Sequence, residues 1–342
     1  MKKLLEGISQ YRSALMGIAT LWVLMFHYLL IFPDAYIPVI TDISRIGNDG
    51  VEIFLVVSGM GLYYSLHNDS NVEHFYIKRI IRVVIPWLIM SFPYWILKTI
   101  IVDRGSLATF ILNLFGISFW VDGTSTVWYV SLIIVLYLIY PFIYTIQKKI
   151  PIITIFTSVA VILGCFLLKA LFSEYFILIE KAITRVPSFL IGSYLGGLLI
   201  DNDKKRYSAY VIYAFAVFAF LLLICGRLNI AGSYSIICIR VGSASVAMLV
   251  SFMFVFLLNS IKRKNFNTVL SKIGGASLEI YIGSVFIRNI FTRINFGISN
   301  SKGVQIVISI IAMLGALAFC YLFAQILHRI LGRLFAKKVS IS

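Results

Sequence analysis

The chain has 342 residues, 60% of them hydrophobic, with 30 basic and 14 acidic side chains and a formal net charge of +16. Charged residues are 13% of the total, against about 25% in soluble domains, and the mean hydropathy is +0.96. A soluble enzyme, a disordered chain and a disulfide scaffold are excluded, and the solvent of this chain is mostly lipid.

A membrane-crossing helix needs about 20 mostly apolar residues. Ten runs approach that length: 14–32, 51–66, 80–101, 127–146, 150–169, 183–200, 208–226, 235–258, 270–290 and 303–328. The first is too long for a signal-peptide core and is expected to remain as an anchor. The second is short, and the sixth carries charge at its start. Between the third and fourth, the stretch 107–121 is interrupted by Asn113 and Gly116 and reads as a re-entrant or interfacial segment. All the runs are continuous rather than alternating, which excludes a membrane β-barrel. Pro86 and Pro93 are expected to kink the third run and Pro141 the fourth. Ser58-Gly59-Met60-Gly61, and Gly192 with Gly196 and Gly197, predict close approach of neighbouring helices.

Basic clusters within 2–12, 78–82, 148–149, 204–206, 262–272 and 329–338 hold 19 of the 30 Lys and Arg residues. With the N-terminus inside, every inner connection is basic, as the positive-inside rule requires. The expectation is an all-α integral membrane protein of about ten transmembrane helices with both termini cytoplasmic. It forms one transmembrane domain over 1–342, with no appended soluble domain. Most of the positive charge is then topology and contact with anionic membrane lipid rather than nucleic-acid binding. Cys165, Cys225, Cys238 and Cys320 sit in apolar runs and read as small buried hydrophobes.

Ionisable groups inside a span are expensive, and each is a functional candidate. His27 lies in LWVLMFHYLLIF near the outer end of the first run, and Glu52 in GNDGVEIFLVVSG at the outer start of the second. At 1.5 Å per residue the two reach a similar depth, so they could form a dyad in which the carboxylate orients the imidazole for general-base work. The alternatives are a structural hydrogen bond, or a Glu52 that simply lies among the headgroups. Arg240 in the eighth run could pair with Glu279 in the ninth. Arg185, before Pro187, could serve the site or snorkel to the interface. Lys78, Arg79 and Arg82 follow two aromatic residues in HFYIKRIIRVVIPW, and the three-residue spacing of the arginines puts both on one helix face, suited to phosphate. His67, His74 and His328 lie at polar helix ends and read as solvated or interfacial. No metal-ligand spacing is present.

Six blocks, in order along nearly the whole chain, resemble the acyltransferase-3 family of bacterial multi-pass membrane acyltransferases. They are His27 closing an apolar run; Gly47, Gly50, Val51, Glu52, Phe54, Ser58 and Gly59; Phe75, Lys78, Arg79, Arg82 and Pro86; Trp128, Tyr129, Tyr137 and Pro141; Arg185, Pro187, Phe189 and Gly192; and Gly274, Ser277, Glu279 and Tyr281. Two positions depart from the family pattern. Its helix-1 Arg is Met16 here, with Arg12 one turn earlier on the same face, and its ninth-helix His is Ser284.

The resemblance implies transfer of an acyl group, usually acetyl, from cytoplasmic acyl-CoA to a hydroxyl of a cell-envelope polysaccharide or sugar-lipid in the bacterial plasma membrane. Acyl-CoA would be a co-substrate, with no permanently bound cofactor. His27 and Glu52 would be catalytic. Arg79 and Arg82, helped by Lys78 and Arg12, would hold the CoA phosphates. Ser58, Tyr281 or Arg240 could face the oxyanion, while Arg185, Glu279 and Trp128 are further acceptor contacts. The alternative is a transporter or exporter related to the family but not acylating, favoured by the proline-kinked helices and the two departures.

Overall fold

A computed structural model describes residues 2–32, 36–124, 126–200, 208–260, 264–293 and 301–339. Among them every regular element is helical. Among the described residues, seven helices are long and apolar enough to cross a membrane: Val72–Val102, Trp128–Lys149, Ile153–Leu171, Ser173–Ile200, Ala209–Arg227, Gly232–Ser260 and Lys302–Phe335. The pair Asn265–Gly275 and Ser277–Phe291, bent by 65°, makes an eighth if it counts as one broken span. The protein is therefore an all-α, multi-pass membrane protein.

Two of the ten expected runs fall outside that set. The first is the helix Arg12–Tyr28, whose 17 residues cover about 25 Å at 1.5 Å per residue, short of a hydrocarbon core of about 30 Å. The second is Gly50–Asn68, 19 residues long. It is buried at nearly every position from Glu52 to Tyr63. Protein rather than lipid surrounds it, so its low apolarity is tolerated.

The sixth run is longer than expected. The span starts at Ser173, which places Arg185 twelve residues inside it rather than at its end. In Val72–Val102 the α-helix widens into π turns at Ile80–Val84 and Ile96–Val102, on the two sides of Pro86 and Pro93. Pro86 removes a backbone donor and crowds the turn before it, and the π turn at Ile80–Val84 absorbs both effects. The first of these turns begins directly after Arg79, so the α-helical spacing that would align Arg79 with Arg82 is interrupted. The 107–121 stretch is split as expected into Leu107–Leu114 and Ser118–Asp122, with Gly116 between them at φ +70°, a conformation that favours glycine.

The chain forms two compact units. One comprises Met1–Arg12, Glu52–Arg79 and Phe115–Lys262; the other comprises Ser13–Val51, Ile80–Leu114 and Arg263–Ser342. In the first unit, Gly50–Asn68 and Val186–Ile200 touch backbone to backbone. A Cβ on Gly59 would overlap the Phe189 carbonyl, and one on Gly192 the Val56 carbonyl. Beside this contact the Tyr140 ring packs on Phe75 and Phe189 at centroid distances of 6.2 and 5.6 Å. The Tyr140 hydroxyl meets Ser193 Oγ at 2.7 Å, and Ser193 Oγ donates to Gln147 Oε1 at 2.6 Å. The second unit is built around Tyr94 stacked on Phe286 at 3.9 Å, with Trp87 Nε1 donating to the Leu114 carbonyl at 2.8 Å.

Gly192→Ala is expected to destabilise the protein by about 1–3 kcal/mol, because the added methyl must push two helix backbones apart. Gly164→Ala, at a glycine with nothing within 4 Å of the new atom, is expected to be neutral or slightly stabilising. Unfolding midpoints in detergent compare the two. Equal midpoints would show that the Gly59–Gly192 approach is not limiting.

Candidate active site

In the second unit His27 lies in the last turn of Arg12–Tyr28 and faces the helix Ser277–Phe291. The Arg288 guanidinium donates through Nη1 to His27 Nδ1 at 2.7 Å. Arginine has no acceptor, so Nδ1 must be the acceptor and the ring proton of a neutral imidazole sits on Nε2. Arg288 also donates to Asn289 Oδ1, from Nη2 at 2.7 Å and Nε at 3.3 Å, and Asn289 Nδ2 donates to the Tyr94 hydroxyl at 3.2 Å. The buried Tyr281 ring lies with its centroid 6.5 Å from the His27 ring. One turn further along the same helix, Ser284 is buried. Its hydroxyl donates to the Tyr281 carbonyl at 2.9 Å, and its own carbonyl accepts from the Tyr28 hydroxyl at 2.8 Å.

Sequence reasoning missed Arg288. The available signal was a lone basic residue in the apolar run IYIGSVFIRNIF, one turn beyond Ser284 and therefore on the same helix face.

A second polar station lies near the start of that helix. The buried Glu279 carboxylate meets His328 Nε2 at 2.8 Å, and His328 is about two-fifths exposed. Arg82, itself exposed, is within electrostatic reach of His328. Nine residues separate Glu279 from Arg288, which is about 13 Å of helix. The expected Arg240–Glu279 pair is not formed: Glu279 takes His328, and Arg240 takes Glu180. The reading of His328 as merely solvated is corrected by the same bond.

In the first unit Arg240 grips Glu180 with two parallel bonds, Nε to Oε2 at 2.6 Å and Nη2 to Oε1 at 2.9 Å. Glu52 and Arg185 form a fully buried pair. Arg185 Nε donates to Oε1 at 2.7 Å, Ser188 Oγ donates to Oε2 at 2.6 Å, and Arg185 Nη1 donates to the Lys181 carbonyl at 2.9 Å. The guanidinium also lies 4.9 Å from the centroid of Trp128. At 1% exposure Arg185 does not snorkel. Its pairing with a carboxylate and an indole face lowers the cost of a charge at this depth. His27 and Glu52 belong to different units, and each has partners inside its own.

The basic residues expected to meet phosphate are arranged individually. Arg79 lies between two rings, 5.1 Å from Phe75 and 5.6 Å from Tyr137. Lys78 reaches Asp69 at 3.4 Å, and His74 meets the same carboxylate oxygen at 3.2 Å. The Asn71 backbone N–H, with help from His74 and Lys78, holds the Asp69 carboxyl below the usual carboxylate range. A depressed value means that this tie is complete at neutral pH and is lost only as pH falls through the lowered value. Arg12 packs its guanidinium against Gly61, where a side chain would collide with it. Ser58 is half-buried. Of the inner basic clusters, Lys204, Lys205, Arg206, Lys262 and Arg263 lie outside the described residues.

The family model described as an acyltransferase domain, acyltransferase-3, matches residues 14–325, and the chain belongs to that family. It is a membrane acyltransferase. No curated relative and no solved structure matches it.

Proposed function

We propose that this enzyme moves an acyl group, most simply acetyl, from cytoplasmic acyl-CoA to a hydroxyl of a cell-envelope polysaccharide or sugar-lipid, in the bacterial plasma membrane. The observation that carries the reading is His27, held inside an apolar helix among Arg288, Tyr281 and the Asn289–Tyr94 pair. In the proposed step the acceptor oxygen attacks the thioester carbonyl carbon. Its proton passes to the His27 imidazole, the C–S bond breaks, and the proton ends on the CoA sulfur. Tyr281 is proposed to donate to the tetrahedral oxyanion, since it shares a unit with His27 while Arg240 is committed to Glu180. Glu52 is proposed to act as the counter-charge of Arg185. Lys78, Arg79 and Arg12, which share the first unit, are proposed to bind the CoA phosphates, and Arg82, in the second, is proposed as a phosphate contact in its own right.

Arg79→Gln is expected to raise the apparent KM for acyl-CoA about tenfold or more and to change kcat less, since a charge-assisted bond to phosphate is made in ground and transition states alike. Steady-state kinetics with varied acetyl-CoA measures it. The reaction itself is tested in proteoliposomes: CoA release that depends on an added glycan acceptor supports transfer. A transport reading draws on the two π breaks of Val72–Val102 and the 65° bend before Ser277–Phe291. Glycan flux that persists without acyl-CoA, with no CoA release, would establish it in place of transfer.

A further inference from the structure

Arg288 is a guanidinium in an apolar helix, and its hydrogen-bond partners among the described residues are all neutral: His27 Nδ1 and Asn289 Oδ1. The charged side chains of Arg185 and Arg240 are treated differently, since each is met by a carboxylate, Glu52 and Glu180 respectively. A half-buried cation without a counter-charge is expensive in lipid. The hydroxyls of Tyr281, Tyr28 and Tyr94, within electrostatic reach of Arg288, are polar but uncharged. A ligand can bring the negative charge that no described residue gives Arg288 through a hydrogen bond.

The same bond has a second consequence. While Nη1 donates to Nδ1, His27 offers only its Nε2–H to anything else, and it cannot accept a proton. The imidazole is locked as a donor, and the base proposed above becomes available only when Arg288 turns away.

We propose that Arg288 is an anion subsite for the acyl acceptor. A carboxylate or phosphate oxygen of the acceptor pairs with the guanidinium, draws Nη1 off His27 and exposes the Nδ1 lone pair to the acceptor hydroxyl. The inference rests on the reading of His27 as the base. The balance is simple: the Nη1–H···Nδ1 bond breaks and guanidinium–oxygen bonds form. Nδ1 then takes the hydroxyl proton, and the ring, which already carries Nε2–H, becomes an imidazolium until the CoA sulfur takes that proton. An acceptor without a negative group leaves the base locked. Water alone does the same, so acyl-CoA is protected from hydrolysis between turnovers.

Two sources can present this chemistry. Ile287 and Phe291, one residue before and three after Arg288 on its helix, line an apolar groove of about 410 Å³ together with Ile308, Ile311, Gly315 and Phe319. A hydrocarbon tail there would bring a lipid phosphate to Arg288, whereas an acidic glycan would bring a carboxylate or phosphate from the water.

The test uses the full chain in phosphatidylcholine nanodiscs with ¹⁵N-labelled histidine. The chain has four histidines, and the His27→Ala spectrum assigns the signals of His27. A bare Nδ1 and a protonated Nε2 are expected without anion. Glucuronate or inorganic phosphate is expected to shift the Nδ1 signal saturably, and glucose is expected not to. In discs containing phosphatidylglycerol the shift appears without solute if the source is lipid. Arg288→Gln is expected to abolish the response, and Arg288→Lys to keep it at about tenfold weaker affinity. A shift in either arm supports the subsite and names its source. No shift with any anion, or a shift that survives Arg288→Gln, overturns it. Failure of the base reading is a separate result, in which His27→Ala leaves acyl transfer unchanged whatever the spectra show.

Discussion

His27→Ala is expected to lower acyl transfer by about 10²–10⁴-fold, the usual contribution of a positioned general base. The acceptor hydroxyl is a weak nucleophile at neutral pH, and the apolar helix around His27 supplies no other proton acceptor in the same turn of Arg12–Tyr28. The loss is expected in kcat, with the KM for acyl-CoA within a few-fold of the parent, because the groups proposed for the CoA phosphates lie at the opposite end of the same helix (Arg12) or on another segment. Folding is expected to be nearly unaffected. His27 is only half-buried, and Arg288 keeps its two bonds to Asn289 after the imidazole is gone. Measuring glycan acylation in cells beside CoA release from purified protein separates lost chemistry from lost protein. Full activity at normal expression would remove His27 from the catalytic machinery.

The second large effect is structural. Glu52→Gln leaves the Arg185 guanidinium, at 1% exposure, without its carboxylate. Removing one partner of such a pair costs about 3–5 kcal/mol, because the remaining charge is neither hydrated nor neutralised. That is a large share of a total stability of about 5–15 kcal/mol. Arg185→Met is expected to cost a similar amount, since it strands the carboxylate and removes the cation from the Trp128 face. The double variant Glu52→Leu with Arg185→Met is expected to recover much of the loss, because no charge is then left buried. Denaturant unfolding in detergent closes this double-mutant cycle. Additive single losses, with no recovery in the double variant, would show that the two side chains act independently. Activity in the double variant then separates a purely structural pair from one that also shapes the acceptor site.

Much of the architecture is legible in the residues taken one segment at a time. Continuous apolar runs announce the spans. The interruption at Asn113 and Gly116 announces the break between Leu107–Leu114 and Ser118–Asp122. Glycines at 59 and 192 announce a close contact that the fold makes between those two helices. Each of these is a local property, either a sum of transfer free energies along a short stretch or the absence of one side chain. His27, Glu52, Arg185, Arg240 and Glu279 were likewise marked as expensive by their apolar neighbours alone.

Partnership was not legible in that way. Glu52 meets Arg185 across 133 residues, and His27 meets Arg288 across 261. Glu279 turns to His328 and Arg240 to Glu180, against the simplest pairing of the two. The length of the Ser173–Ile200 span, and with it the burial of Arg185, also departed from the hydropathy reading, because a span enclosed by protein tolerates charge that lipid would not. What the sequence by itself determined is which segments leave water and which of their residues must find a counter-charge or a hydrogen bond there. Which group supplies it was decided only by the tertiary structure, because helix packing chooses the faces that meet, and that choice is made jointly by side chains far apart in the chain.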